Sequence, residues 1–187
     1  MKSLILASQS PRRRELLEQV GLRFTVHPST IEEQVEEEMT PEALVQELAR
    51  QKAADVYSHY PEDIVLGADT LVAVDGEVLG KPRSEEEAAE MLHKLSGKTH
   101  QVHTGTAIIS EQGETVFAET VHVTFYPLTE SEIDTYIQSK EPEDKAGAYG
   151  IQGLGAVLVE RIEGDYFSIV GLPVARVVRV LKKHGSG

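Results

Sequence analysis

Polar and apolar residues alternate with two different periods along this chain, and each switch of period marks an element. The run "LILA" at 4–7 is apolar and short enough for a buried strand. It gives way at once to "SQSPRRREL", where Ser10 suits an N-cap and Pro11 the first helical position, so a helix is expected over 11–20. A strand at 23–27 and an acidic loop around "STIEEQVEEE" follow. Thr40-Pro41-Glu42 then opens a helix to about Tyr57 with the apolar stripe Leu44, Val45, Leu48, Ala49, Val56. "DIVLGA" reads as a buried strand, and "TLVAVDGEVLG" as a hairpin turning at Asp75-Gly76.

Ser84 and Glu87 form a capping box for a helix that Gly97 ends, and Thr129 and Glu132 form a second box for a helix to about Ser139. "QVHTGTAIIS" and "ETVFAETVHVTFYPL" are strands joined at Gln112-Gly113. After the loop "KEPEDKAGAYGIQGLG", "AVLVERI" and "YFSIVG" are expected to pair as strands across "EGD", and Pro173 to open the last helix. Helices and strands mix without strict βα alternation. The expectation is an α/β fold with a mixed sheet and flanking helices, one domain over 1–187, whose single sheet bends between two lobes.

Composition changes this picture in two respects. Thirty-one acidic residues against 18 basic ones give a net charge of −13, and the resulting field repels a nucleic-acid polymer. A small polyanion still binds where the few bases converge. There is no cysteine, so thiolate chemistry and disulfides are excluded, and a reducing cytoplasm is expected. No stretch has the length of a membrane span, and the basic cluster follows the first apolar run rather than preceding it, so neither a membrane nor a secretory leader is expected.

Four places break a local rule. Arg12, Arg13 and Arg14 fill the first turn of a helix whose N-terminus is already positive, which disfavours each by about 0.3–1 kcal/mol. Arg14 is expected to splay into water or to pair with Glu18. For Arg12 and Arg13, beside the hydroxyls of Ser8 and Ser10, an anion is the better account. Lys52 falls in the middle of an apolar stripe, either snorkelling to solvent or pointing an ammonium at a ligand. Asp69 ends the strand "VLGAD" beside the small Gly67 and Ala68. It is either a turn former or a carboxylate that binds metal or takes a proton from water, with Lys81 across the hairpin. "DKAGAYGIQGLG" at 144–155 interleaves four glycines with Tyr, Ile and Leu, which suits ordered backbone near a ligand better than a flexible linker. Gln152 there is able to read a base edge.

The segments "LASQSPRRREL", "GADTLV", "GEVLGKP", "LSGKTHQV" and "DKAGAYGIQGLG", in this order, resemble the Maf family of nucleoside triphosphate pyrophosphatases over essentially the whole chain. The resemblance implies a fold similar to that of the inosine triphosphate pyrophosphatases: an elongated mixed sheet, helices around it, and a cleft between two lobes. It implies metal-dependent hydrolysis of a nucleoside triphosphate between the α and β phosphates. Ser8, Ser10, Arg12 and Arg13 would then hold the triphosphate, and Lys52 and Lys81 would neutralise phosphate oxygens. Glu33 would bind the metal and Asp69 would be the proton acceptor; on these residues Mg²⁺ or Mn²⁺ is expected on Glu33, with Asp69 as base, second metal ligand or both. Arg12, Thr70 and Gln152 resemble the branch acting on dTTP and UTP; modified pyrimidine nucleotides are also family substrates, and family members are often homodimers. The alternative is a nucleotide-binding regulator of septum formation and cell division that hydrolyses its ligand only incidentally.

Overall fold

The computed structural model describes residues 2–35 and 38–186. Two of the three glutamates at 36–38, read as a variable loop, lie outside the described residues. The first apolar run forms β1 (Leu4–Leu6), buried throughout. Helix α1 (Pro11–Gln19) starts from an extended Ser10 whose side chain accepts the Arg13 N–H, with Pro11 at the first helical position. β2 (Thr25–Val26) is shorter than expected. Helix α2 (Pro41–Tyr57) has the expected span, and Thr40 Oγ1 accepts from the Ala43 N–H at 3.2 Å.

β3 (Ile64–Val74) fuses "DIVLGA" with the first arm of the hairpin, and β4 (Glu77–Leu79) returns antiparallel along it. Asp75 and Gly76 make the turn with φ of 49° and 79°, the paired positive values of a type I′ hairpin. In α3 (Glu85–Leu95), Ser84 provides one arm of the expected box, accepting from the Glu87 N–H at 3.1 Å. β5 (Thr99–Ser110) and β6 (Gly113–Phe125) turn at Glu111-Gln112, one residue earlier than expected. The Thr129–Glu132 box is complete at the start of α4 (Glu130–Gln138).

The loop after α4 is built of short 3-10 turns at Glu141–Asp144, Ala146–Ala148 and Leu154–Leu158. The pairing expected across "EGD" does not form. β7 (Val159–Glu163) pairs with β6 instead, and Tyr166–Val170 is a short helix, α5. The reason is local: Asp165 Oδ2 accepts from both the N–H and the hydroxyl of Ser168, at 2.9 and 2.6 Å, which caps a helical turn. Pro173 precedes α6 (Val174–Lys183) as expected.

Among the described residues, seven strands form one sheet in the order β2-β1-β3-β5-β6-β7, with β4 on β3. β1 is parallel to β2 and β3, while β3–β4 and β6–β7 are antiparallel, so the sheet is mixed. The chain divides into two compact units: Met1–Asp69, Thr104–Glu119 and Gly171–Gly187 make the first, and Thr70–His103 and Thr120–Val170 the second. β3, β5 and β6 contribute residues to both.

In the first unit, α2 lies directly on the sheet because the strands beneath it carry glycine at the two closest approaches, Gly67 and Gly105. A Cβ on Gly67 would stand 2.6 Å from the Ala49 carbonyl oxygen, and one on Gly105 would overlap the Val45 carbonyl. The room beside Asp69 noted in the sequence is therefore filled by α2. Ala49, Ala53 and Val56 pack on Ile5, Val65 and Ala107. This packing sets the height of Lys52 over the sheet. The second unit has its own core, in which His100, Phe125 and Tyr149 meet edge to face with centroids 4.7–5.3 Å apart.

Candidate active site

Lys52 does not snorkel. Its position on α2 carries Nζ to 2.8 Å from Asp69 Oδ1 and 3.2 Å from Glu33 Oε1. Asp69 sits on β3 where the strand leaves the first unit, and its side chain is only 13% exposed. Its Oδ2 is buried without a hydrogen-bond partner. Burial pushes the Asp69 carboxyl above the ordinary range; Lys52 and Arg13 oppose this, and Glu33 adds to it. A buried carboxylate with a raised pKa, bonded on one oxygen alone, is a candidate general base.

Glu33 reaches this group because its loop is strapped to α2 on both sides. Asp55 Oδ2 accepts from the Ser29 hydroxyl at 2.7 Å and from the Thr30 N–H at 3.3 Å. Gln51 exchanges two hydrogen bonds with the Gln34 backbone, each 2.9 Å. The straps stand one residue before and three residues after Lys52 on the same helix.

At the start of α1, Arg13 folds back into the protein. Its Nε donates to the Gly171 carbonyl at 2.8 Å and its Nη1 to Ser8 Oγ at 3.3 Å, and Ser8 Oγ also accepts from the Ser10 N–H. Burial lowers the Arg13 pKa to about 10, with Asp69 raising it and Arg12 lowering it, so the guanidinium remains charged at neutral pH. Arg12 and Arg13 are half-buried and Arg14 is exposed, as the sequence suggested. The structure thus brings Ser8, Ser10, Arg13, Glu33, Lys52 and Asp69 together within the first unit, with Arg12 on the same helical turn as Arg13.

Thr70, Lys81 and Gln152 belong to the second unit. Thr70 follows Asp69 on β3 and is half-buried, whereas Lys81 and Gln152 are exposed. Beside Lys81, the Gly80 carbonyl accepts from the Gly147 N–H at 3.1 Å, which ties the "LGKP" segment to the glycine-rich loop. That loop is ordered, as its composition implied: Ala148 is fully buried with φ 65° and Tyr149 is nearly so.

Two residues of this machinery escaped the sequence reading. Gly171 supplies the carbonyl that holds Arg13 and has φ 140°, while Glu141 organises the loop around Gln152. Nothing in the sequence around Gly171 links it to a residue 158 positions earlier. Glu141 lay inside a segment read as loop.

No group of three or more His, Asp or Glu side chains suited to a metal occurs among the described residues. Glu33 and Asp69 nonetheless fit a hard divalent cation. Both carboxylates converge on Lys52, and Asp69 Oδ2 lacks a partner. Mg²⁺ commonly takes only one or two carboxylates and completes its shell from water and substrate phosphates.

A model of the family described as Maf-like protein matches residues 3–184. A dTTP/UTP pyrophosphatase of Geobacillus sp. (strain WCH70) is 56% identical over 185 residues, 99% of this chain and all of that protein. One from Bacillus pumilus (strain SAFR-032) is 54% identical, over 99% of this chain and 98% of its own. Among solved structures, a HAM1 protein from Coxiella burnetii aligns over 98% of this chain and 100% of its own with a TM-score of 0.50 at 17% identity, a likeness of fold alone. No described helix is long and apolar enough to cross a membrane. The family model and the relatives agree, and the chain belongs to the Maf family.

Proposed function

We propose that the protein hydrolyses dTTP and UTP, and modified pyrimidine nucleotides, to the monophosphate and pyrophosphate. The observation that carries this reading is the Lys52 ammonium between two carboxylates, one of them with a buried oxygen that has no partner. Relatives more than half identical over their full length are named for this activity.

A triphosphate brings about four negative charges, which an acidic protein accepts only where fixed cations offset them. Arg12 and Arg13 meet it at the α1 terminus, with the Ser8 and Ser10 hydroxyls beside them. Lys52 takes further phosphate charge, and the family resemblance assigns the same part to Lys81. Asp69 aligns a water on the α-phosphorus and accepts its proton, while Lys52 holds Oδ1 in place. The P–O bond to the β-phosphate breaks and pyrophosphate leaves on the cationic groups. A bound Mg²⁺ or Mn²⁺ would be held by Glu33 and Asp69 and would supply charge neutralisation. Arg12, Thr70 and Gln152 are the positions to which the family resemblance assigns pyrimidine selection. The reducing cytoplasm expected from the absence of cysteine and the homodimer that the family resemblance implies belong to the same proposal.

A panel of dTTP, UTP, CTP, GTP and their methylated forms, with products identified, tests the reading. Release of dTMP and pyrophosphate from dTTP is expected. A preference for purines overturns the substrate assignment, and tight binding with negligible turnover favours a regulator instead.

A further inference from the structure

We propose that Glu141 is a positioning residue for base selection: its carboxylate fixes the backbone on both sides of Gln152. The inference rests on the reading of Gln152 as a base-contacting side chain.

Glu141 Oε2 accepts from the Leu154 N–H at 2.8 Å, and Oε1 accepts from the Gly155 N–H at 3.0 Å and from the Tyr136 hydroxyl at 2.8 Å. The same hydroxyl accepts from the Gly150 N–H at 2.9 Å. Backbone donors at 150, 154 and 155 therefore end on one carboxylate–phenol pair, with Gln152 between them. Gln152 is exposed, so the backbone on either side of it is pinned while its side chain faces solvent. The glycines of this segment make the arrangement possible. A Cβ on Gly153 would stand 2.5 Å from Glu141 Oε2, and one on Gly155 would stand 2.8 Å from the Tyr136 oxygen.

The pair keeps its roles across the working pH range. Burial raises the Glu141 carboxyl, but the Gly155 and Leu154 N–H groups and the Tyr136 hydroxyl outweigh it and leave the pKa below the usual carboxylate range. Burial first, and then Glu141 itself, keep the Tyr136 phenol protonated. An ionised acceptor facing three donors is a rigid clamp, and a recognition side chain set on such a support discriminates better than one on a loose loop.

The test compares kcat and KM for dTTP and for dCTP in the wild type, Glu141→Ala, Glu141→Gln, Gln152→Ala and Thr129→Ala. Thr129 caps α4, the helix that also carries Tyr136, so its variant lowers Tm while leaving every hydrogen-bonding group of the clamp in place and reports what destabilisation alone does. Expected are a loss of at least about tenfold in the dTTP over dCTP ratio of kcat/KM for Glu141→Ala, carried mainly by KM, a smaller loss for Glu141→Gln, and an unmoved ratio for Thr129→Ala. If Gln152→Ala collapses the ratio while both Glu141 variants hold it within about twofold, the positioning role is wrong and the base reading stands. An unmoved ratio in Gln152→Ala overturns the base reading, and the positioning role with it. Should Glu141→Ala fail to fold, the ratio in Glu141→Gln decides.

Discussion

Lys52 Nζ stands 2.8 Å from Asp69 Oδ1, while the other carboxylate oxygen of Asp69 is buried with no partner. An ion pair built for stability alone satisfies both oxygens, because an orphaned buried acceptor costs about 1–3 kcal/mol. The unpaired oxygen supports the catalytic role proposed for the pair. The position of the pair follows from three choices in the chain: glycine at 67 and 105, which lets α2 descend onto the sheet, and lysine at 52, which the descent carries to the strand end.

Gly171→Ala tests the support beneath Arg13. At φ 140° a side chain is strained, and its Cβ would press on Arg13 Cγ and Nε at 3.3 Å. A stability loss of about 1–3 kcal/mol is expected in thermal unfolding, together with a rise of roughly tenfold in KM for dTTP as the guanidinium shifts. A lower Tm with an unchanged KM would detach Arg13 from substrate.

Much of this fold was legible because its signals are local. Ser10-Pro11 and Thr40-Pro41 cap their helices, and Asp75-Gly76 turns its hairpin, as the sequence implies. Lys52 and Asp69 stood out because each breaks the pattern of its own element. Tyr166–Val170 was misread because its apolar residues suit a strand, and the Asp165 cap that makes it a helix is one side chain. Gly171 and Glu141 act through backbone groups far along the chain or inside irregular turns, where no periodicity points to them.

Acid should weaken the fold in a defined window. Burial lowers the His100 pKa from 6.5 to about 4, where Nε2 meets the Tyr149 hydroxyl at 2.6 Å. A depressed histidine binds its proton in the unfolded state first. The neutral His100 therefore costs nothing above pH 6.5, and stability falls between about 6.5 and about 4, by roughly 3 kcal/mol in all. His184 is lowered too, by burial and then Lys2, and adds in the same direction. Asp69 works oppositely, since a raised carboxyl costs stability when ionised and relieves it as pH drops. Urea midpoints of wild type minus His100→Gln isolate the histidine: the difference should change across this window and stay level above it. A level difference throughout would show that His100 is not buried neutral.

Asp69→Asn, assayed for dTTP turnover and for nucleotide binding in the same preparation, bears on the chemistry most directly. The amide keeps the shape of the carboxylate but cannot take a proton. The proton-accepting role of Asp69 requires a kcat lower by about 10²–10⁴-fold, with binding of a non-hydrolysable dTTP analogue within about tenfold of wild type and no loss of Tm. A variant that turns over dTTP at the wild-type rate would contradict it.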